Sequence, residues 1–235
     1  MNCPNNWLKK GCTGPNVGRL QELINKTKLF TLAVDNNFGP ITESVLKKIQ
    51  DLLWITIDGI AGDQTTGQLK NFIVGLVKIG YYLPDRQDNA YQCGPSAARM
   101  GLSILGYNIL ESWLAKKAGT NKNNGTSVSG LVLAITEVNK EFGASIKPTT
   151  SGKIPLATLA QYIKNKIPVL VRLRSWINPN GGQHWVLITA INLNNQTIRF
   201  ADPSAGERVT TLADFKNRVQ YVIDRNIPQP FIILR

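Results

Sequence analysis

The residues best suited to chemistry in this sequence are Cys93 and His184, which is the only histidine of the chain. Cys93 lies in a Gln-Cys-Gly-Pro segment, and His184 in a Gly-Gly-Gln-His-Trp-Val segment just ahead of an apolar run that predicts a strand. A thiol attacks well only as the thiolate, and a nearby imidazole is the usual group that takes its proton. The pair therefore predicts nucleophilic chemistry through a thioester, with Cys93 as nucleophile and His184 as base.

The alternative for Cys93 is a buried thiol that acts as a small apolar side chain, which is the commoner fate of a cysteine taken alone. The chain has three cysteines, so they cannot all pair; Cys3 and Cys12 are close enough in sequence to form a disulfide or to remain thiols. Residues 96–106 have helical apolar spacing, with Gly106 as a plausible stop. Because a helix N-terminus favours negative charge, this context lowers the expected thiol pKa and favours the reactive reading of Cys93.

An imidazole base also needs an orienting group that holds it in the correct tautomer. Asp202 ends the predicted strand that follows the strand of His184, so two adjacent antiparallel strands would bring the carboxylate beside the ring. Asn192 and Asn180 are other side chains able to orient a histidine, but they fall at less suitable places. We therefore expect Asp202 to be the orienting residue.

A tetrahedral intermediate further needs hydrogen-bond donors for its oxyanion. Gln87 lies six residues before Cys93, a spacing that lets its amide join the backbone N–H of Cys93. Gln92 is the alternative donor, although an immediate neighbour usually points away. The expected catalytic set is thus Cys93, His184, Asp202 and Gln87.

The N-terminal part contains an internal repeat in residues 35–42 and 58–65, which share Asp, Gly and Thr at the same offsets. Each copy precedes a helix-like stretch, so the repeat predicts a turn followed by a helix start. Apolar spacing predicts three short helices, around residues 17–24, 45–49 and 69–76. We therefore expect a compact three-helix module, followed by a packed connection.

The remainder predicts an α+β domain, with helices first and strands later. Helices are expected after Cys93 and at residues 128–138 and 156–166; strands are expected at residues 169–173, 186–191, 197–200, 221–223 and 231–234. A helix-borne cysteine facing strand-borne partners on a mostly antiparallel sheet is the papain-like arrangement. The predicted organisation is a helical domain over residues 1–80 and a papain-like α+β domain over residues 81–235, with the boundary near Gly80.

The composition of the chain limits the kinds of molecule that we expect it to bind. The net charge is +12, but the cationic residues are scattered, without a basic run or zinc-ligand spacing, so nucleic-acid binding and a metal site are not expected. A positive field suits an anionic polymer such as a cell wall. The chain has no apolar run long enough for a membrane span, and residues 1–7 lack the apolar stretch of a secretory signal. We expect a monomer without cofactors, made in a host cytoplasm and acting at the wall after release.

The N-terminal motifs resemble the three-helix peptidoglycan-binding domain that is appended to cell-wall hydrolases. The resemblance covers roughly residues 12–74, and its motif residues are Gly14, Val17, Leu20, Gln21, Asp35, Phe38, Gly39, Thr42, Gln50, Asp58, Gly59, Gly62 and Thr65. It implies binding to wall glycopeptide. The motifs are mostly turn and core formers, so a helical domain without a ligand is the alternative.

Residues 84–235 resemble the cysteine peptidases of the bacteriocin-leader-processing type and their relatives, the pseudomurein endoisopeptidases. The motif residues are Gln87, Cys93, Gly94, Pro95, Asn124, Gly125, Thr126, Gln183, His184, Trp185, Asp202, Pro203, Leu212 and Phe215. By this resemblance Cys93 is nucleophile, His184 base, Asp202 orienting residue and Gln87 oxyanion donor.

Together these features predict a thiol protease of the endolysin kind, a hydrolase for cell-wall degradation in viral lysis. It would hydrolyse peptide or isopeptide bonds in the stem peptides of peptidoglycan or pseudomurein. Two alternatives remain open: a peptide-maturing peptidase or amide transferase that uses the same thioester, and a wall-binding protein without catalysis.

Overall fold

The computed structural model describes residues 3–4, 7–178 and 182–235, which form two compact units. The first unit comprises Met1–Leu76 together with the short segments Ile154–Gln161 and Asn192–Asn195. The second unit comprises Val77–Lys153, Tyr162–Ile191 and Gln196–Arg235.

The first unit contains three helices. They are α1 (Pro15–Lys26), α2 (Pro40–Leu52) and α3 (Asp63–Lys70). The first two lie where the sequence predicted them; the third lies earlier than the predicted residues 69–76, because Leu69 is near its end and Leu76 begins a strand. Both α1 and α2 begin with proline, whose fixed φ suits a first helical turn that needs no N–H partner. Strand β1 (Trp7–Leu8) pairs antiparallel with β2 (Ala61–Gly62), and a disulfide joins Cys3 to Cys12. The disulfide settles the pairing that the sequence left open and leaves Cys93 as a free thiol.

The internal repeat of the first unit is built around two buried glutamines, Gln21 and Gln50. In each copy the Nε2 atom donates to an Asp carboxylate and a Thr hydroxyl, and the Oε1 atom accepts a backbone N–H. The partners are Asp35 (2.7 Å), Thr42 (3.3 Å) and Asn36 (3.2 Å) for Gln21, and Asp58 (2.8 Å), Thr65 (3.2 Å) and Gly59 (2.9 Å) for Gln50. The repeated Asp and Thr therefore satisfy a buried amide at the start of the following helix.

Beyond residue 76 the described chain forms five helices, α4 (Cys93–Ile104), α5 (Glu111–Lys117), α6 (Val128–Phe142), α7 (Leu156–Lys164) and α8 (Leu212–Ile223). The strands are β3 (Leu76–Lys78), β4 (Pro148–Ser151), β5 (Val169–Arg174), β6 (Gln183–Asn192), β7 (Thr197–Asp202), β8 (Gly206–Thr211) and β9 (Phe231–Leu234). They form one sheet in the order β4-β9-β5-β6-β7-β8, with β3 also paired to β6.

The sheet confirms the predicted α+β class and is antiparallel between β4 and β9, β9 and β5, β5 and β6, and β7 and β8. Apolar side chains of α4 and α6 pack with inward residues of the sheet, including Leu170, Trp185 and Ile232, to form one core cluster. Burying this apolar surface anchors α4, and with it Cys93, to the sheet. None of the helices in the described part of the chain is long and apolar enough to cross a membrane.

One predicted strand is wrong, because Tyr221 to Ile223 form the end of helix α8. The triplet has aromatic and β-branched residues, which favour strands. These residues are nevertheless helical for two reasons. Thr211 caps the N-terminus of α8 by accepting the N–H of Asp214 at 3.1 Å. The apolar residues of α8 are buried at helical spacing, namely Leu212, Phe215, Val219 and Val222. Strands β4 and β8 escaped prediction because their residues are mainly polar or alternate weakly.

Candidate active site

Cys93 is the first residue of helix α4 and is 8% exposed. Gln92 occupies the N-cap position, and no side chain caps the helix by a hydrogen bond. Free N–H groups at a helix N-terminus carry partial positive charge, which stabilises a thiolate. The predicted placement of Cys93 at a helix start is therefore realised.

The start of α4 lies in close contact with the loop that contains Thr126. A Cβ atom added at Gly94 would lie 2.8 Å from the Cβ atom of Thr126, which is closer than two carbon atoms can approach. Thr126 is held in turn, because its hydroxyl hydrogen-bonds to the hydroxyl of Thr120 at 2.8 Å and its carbonyl accepts the indole N–H of Trp185 at 3.0 Å. Gly94 is thus required by the packing that positions Cys93.

His184 is the second residue of β6, opposite Leu173 of β5, and is 7% exposed. Its Nε2 atom lies 2.7 Å from Oδ1 of Asp202, the last residue of the neighbouring strand β7. The Cys93 thiol lies close enough to His184 that each side chain shifts the pKa of the other. Nucleophile, imidazole and carboxylate thus form one connected series.

The carboxylate of Asp202 is almost fully buried, at 1% exposure, and every contact on it is a donor. Its Oδ1 atom accepts the backbone N–H of Ser204 at 2.8 Å and the Ser204 hydroxyl at 2.6 Å. Its Oδ2 atom accepts Nε of Arg208 at 3.0 Å. Burial would raise the pKa of Asp202, but the hydrogen bond and charge of His184, followed by the two hydrogen bonds from Ser204, hold it well below its ordinary value.

The charges of the site favour a thiolate and an imidazolium. Burial alone would raise the pKa of Cys93, but the hydrogen bond and charge of His184, a backbone N–H of Trp185 and the charge of Arg172 together lower it. Burial opposes the charged form of His184 as well, yet its hydrogen bonds to Asp202 and Cys93 raise its pKa to about 9. The two shifts have opposite directions, so both favour the thiolate–imidazolium pair over the neutral pair.

A cavity of about 340 Å³ opens beside Cys93. It is lined by Ala90, Tyr91, Cys93, Asn124, Gly125, Thr126, Arg172, Gln183 and Trp185. Cys93 is therefore reachable from this cavity, and Arg172 gives the cavity wall a positive charge.

Gln87 lies beside the site but does not line this cavity. Its backbone N–H donates to the carbonyl of Pro203 at 3.1 Å, which ties its loop to the residue after Asp202. The side-chain amide gives one hydrogen to the carbonyl of Asn89 at 2.8 Å, and an amide nitrogen has a second one to offer. The alternative donor, Gln92, accepts from the Asn89 side chain at 2.9 Å.

The loop that carries Gln87 is held by a pair of buried carboxyl groups, Asp85 and Glu111. Glu111 accepts the backbone N–H of Asp88 at 3.0 Å through Oε1, and Arg99 forms an ion pair with Asp85. The remaining oxygens, Oδ2 of Asp85 and Oε2 of Glu111, are both buried without another donor among the described residues. Burial, with the adjacent carboxyl of Asp85, raises the pKa of Glu111 to about 7, so Glu111 holds its proton to higher pH than an exposed glutamate does.

The structure thus brings together three of the predicted residues, Cys93, His184 and Asp202, and, among the described residues, links Gln87 to them only through its backbone hydrogen bond to Pro203. Asn192, considered as an orienting residue, lies at the opposite end of β6 from His184, where its Oδ1 atom accepts backbone N–H groups of the following turn. Asn180 lies outside the described residues.

Sequence reasoning missed Ser204, Arg208 and Arg172. The Asp-Pro-Ser order signals a turn in which the Asp side chain bonds the backbone two residues on, so Ser204 could have been found. Arg208 lies on a strand without an apolar pattern, so its pairing with Asp202 could be recognised only from the structure of the sheet.

A second cavity, of about 440 Å³, lies in the first unit. Helices α1 and α3 supply most of its wall, and Leu8 supplies part of the remainder. Its polar lining residues are Asn16, Arg19, Glu22, Lys26, Asp63, Thr66 and Lys70. Among the described residues no group of three or more His, Cys, Asp or Glu side chains is arranged to hold a metal ion.

Two family models match the chain. The Peptidase_C39 like family matches residues 80–226, more than half of the sequence, and the peptidoglycan binding domain matches residues 13–69. A comparison with curated proteins gives no match.

Three similar solved structures each cover about two thirds of this chain. The peptidase domain of Streptococcus ComA, a bi-functional ABC transporter involved in quorum sensing, is 18% identical with a TM-score of 0.45, covering 66% of this chain and 98% of the other. A C39-like peptidase from Bacillus anthracis is 14% identical, with a TM-score of 0.49 and coverage of 68% and 97%. A double glycine motif protease from an AMS/PCAT transporter, in complex with a leader peptide, is 13% identical, with a TM-score of 0.43 and coverage of 68% and 96%.

The family match agrees with the geometry of the site. A helix-borne thiol faces a strand-borne imidazole, and the residues that supply them fall within the matched range. The N-terminal helices with their glutamine-centred turns fall within the other match. The chain belongs to the Peptidase_C39 like family of cysteine peptidases and carries a peptidoglycan binding domain at its N-terminus.

Proposed function

We propose that this protein is a cell-wall lytic cysteine peptidase that hydrolyses a peptide or isopeptide bond in the stem peptides of the wall. The observation that carries the proposal is the connected series of Cys93, His184 and Asp202, joined to a peptidoglycan binding domain in one chain. The binding domain supports a polymeric wall substrate, and the series supports thiol chemistry on it.

In the proposed cycle the Cys93 thiolate attacks the carbonyl carbon of the scissile bond. The oxyanion that forms is met by the backbone N–H of Cys93 and the free amide hydrogen of Gln87. As the C–N bond breaks, protonated His184 gives its proton to the departing amine. Water then attacks the thioester while His184 takes a proton from it, and the acid is released with the thiolate restored. Asp202 keeps the imidazole oriented throughout and stabilises its charged form.

We place wall binding at the cavity between α1 and α3. Three cations, Arg19, Lys26 and Lys70, line it beside the amide of Asn16 and the hydroxyl of Thr66. Cations and neutral donors suit the carboxylates and hydroxyl groups of a glycopeptide. Retention on the wall raises the local concentration of bonds available to the peptidase unit, so each unit contributes to turnover.

The deciding experiment incubates purified peptidoglycan and purified pseudomurein, separately, with the wild-type protein and with Cys93→Ala. We expect the wild type to release peptide fragments from one of them, and mass spectrometry of the new termini to name the bond. The Cys93→Ala variant should bind the same wall in a pull-down but release nothing. Equal release by both proteins would refute the thiol mechanism.

Added arms of this experiment test the alternatives. An amine acceptor that appears in new amide products would indicate a transferase. Cleavage of isolated double-glycine leader peptides, without release from either wall, would replace the lytic role by a peptide-maturing one. Binding without cleavage of any of these substrates, by the wild type, would leave a wall-binding protein.

A further inference from the structure

Arg172 is a half-buried cation in the wall of the cavity at Cys93, and it lacks a counter-ion there. No carboxylate of the described residues pairs with its guanidinium. Burial lowers the pKa of Arg172, and the only charge that acts against this lowering is that of Cys93. Removing a guanidinium partly from water without a carboxylate partner costs free energy. Its position beside the reacting thiol therefore suggests a functional role.

The backbone and the ring of Trp185 hold Arg172 in place. Its N–H donates to the carbonyl of Pro230 at 2.8 Å, and it faces Trp185 in the register of β5 and β6. The guanidinium carbon lies 6.0 Å from the centroid of the Trp185 ring, within range of a cation–π interaction. Arg172 is thus positioned by groups that leave its N–H donors available on the cavity side.

The cavity also presents an acceptor. Gln183 is part of its lining, and the Oε1 atom of Gln183 is buried without a hydrogen-bond partner among the described residues. Arg172 also lines a neighbouring cavity of about 450 Å³, whose other lining residues include Val128, Val132 and Ile227 together with polar side chains such as Ser129 and Thr150. Arg172 therefore lines both the cavity that contains Cys93 and the neighbouring one, so a molecule bound in either lies beside its guanidinium.

We propose that the cavity beside Cys93 binds a substrate residue that carries a free carboxylate, and that Arg172 is the specificity-determining residue that pairs with it. An arginine presents N–H donors in a planar fork that matches a carboxylate, which makes the contact selective over a neutral amide. Gln183 would accept an N–H of the same residue. This inference deepens the proposed function and rests on it in one respect, since it takes the Cys93 thiolate as the attacking group.

A competing explanation is that Arg172 serves only to stabilise the thiolate. The two roles differ in their dependence on the charge of the incoming molecule. A cation that acts on the thiolate changes the rate of attack on every electrophile by the same factor. A cation that binds a carboxylate changes the rate for an anionic electrophile more than for its neutral isostere.

The test uses iodoacetate and iodoacetamide, which share a leaving group and differ in carboxylate against carboxamide. Rates of Cys93 alkylation are measured at neutral pH and low salt, on the full chain, with the Cys3–Cys12 disulfide kept oxidised. The variants are Arg172→Met, Arg172→Gln as a second neutral replacement and Arg172→Lys, which keeps the charge. Arg174→Met is the matched control, because Arg174 lies on the same strand but lines a different cavity.

We expect the ratio of the iodoacetate rate to the iodoacetamide rate to fall about tenfold in both neutral variants, the effect of losing one charge at close range. The ratio should stay within about threefold of wild type in Arg172→Lys and be unchanged in Arg174→Met. An unchanged ratio in the neutral variants, with both rates reduced equally, would assign Arg172 to the thiolate and overturn the proposal. The same fall in Arg174→Met would also overturn it, since the general field would then be responsible.

This test is separate from the wall-release experiment. A fall in the ratio without release from any wall would leave carboxylate selectivity standing and remove the wall substrate. If neither reagent alkylates Cys93 in the wild type, the reactive thiol is absent and both proposals fail.

Discussion

Replacing Asp202 by asparagine should lower the pKa of His184 while keeping the shape of the site. In the wild type the pKa of His184 is about 9, against 6.5 for an ordinary histidine. A difference of that size corresponds to roughly 3 kcal/mol in favour of the imidazolium, and the hydrogen bond to Asp202 is the largest contribution that raises it. The substitution removes that contribution and leaves the positive charge of Arg208 without its carboxylate partner.

We therefore expect the pKa of His184 to fall by at least one to two units in Asp202→Asn. The equilibrium between the thiolate–imidazolium pair and the neutral pair shifts by the same factor, on the order of 10- to 100-fold toward the neutral pair. Less thiolate at neutral pH means slower alkylation and slower hydrolysis. The upper limb of the pH–activity profile should also move from about pH 9 to lower pH.

The single histidine makes the assay direct. In protein without an affinity tag, the imidazole Cε1–H resonance in a proton NMR titration belongs to His184 alone. Cys93→Ala measures the share of the shift that the thiolate causes, and Asp224→Asn, an exposed carboxylate on the far end of α8, is the control that should titrate as wild type. A resonance that still titrates near pH 9 in Asp202→Asn would refute the assigned electrostatics.

Three other substitutions test separate parts of the structure. Glu111→Gln should raise the melting temperature at pH 8 by several degrees and change it little at pH 5. The pKa of Glu111 is raised in the fold, so its contribution is present below the unfolded value of 4.5 and lost as pH rises through about 7; a gain of equal size at pH 5 would contradict this. Gly94→Ala should reduce alkylation of Cys93 more than tenfold by displacing the start of α4 from Thr126, and Thr126→Gly in the same chain should restore part of the rate; no recovery would contradict the contact. Gln50→Leu should destabilise the first unit by about 2 to 4 kcal/mol in denaturant unfolding because buried partners lose their hydrogen bonds, whereas a loss under 1 kcal/mol would mean that the network contributes little.

Local signals account for the parts of the site that were predicted. Cys93 before a helical apolar pattern had to start a helix, and that placement alone favours a thiolate. His184 and Asp202 lie near the far ends of two consecutive strands joined by a short polar turn, so pairing of those strands brings them together. These inferences needed only sequence periodicity and the geometry of strand pairing.

Other features depend on how the strands and helices pack in the folded chain. Arg208 pairs with Asp202 because β8 turns back along β7, on a strand whose residues have no apolar pattern. The triplet ending at Ile223 was predicted as a strand because aromatic and β-branched residues favour strands, but burial of one face of α8 outweighs that preference. The raised pKa of Glu111 likewise depends on its burial and on the carboxyl of Asp85, which belongs to a different segment of the chain.

The amino-acid sequence thus determined which reactive groups this protein carries. They are a thiol, an imidazole and a carboxylate, and sequence periodicity predicted the helix and strands that hold them, after an N-terminal repeat of glutamine-centred turns. Only the tertiary structure decided the charges, because a pKa depends on burial and on every neighbour within a few ångströms. That is why the imidazolium of His184, the buried carboxylate of Asp202 and the unpaired guanidinium of Arg172 became visible only when β5, β6, β7 and β8 lay side by side.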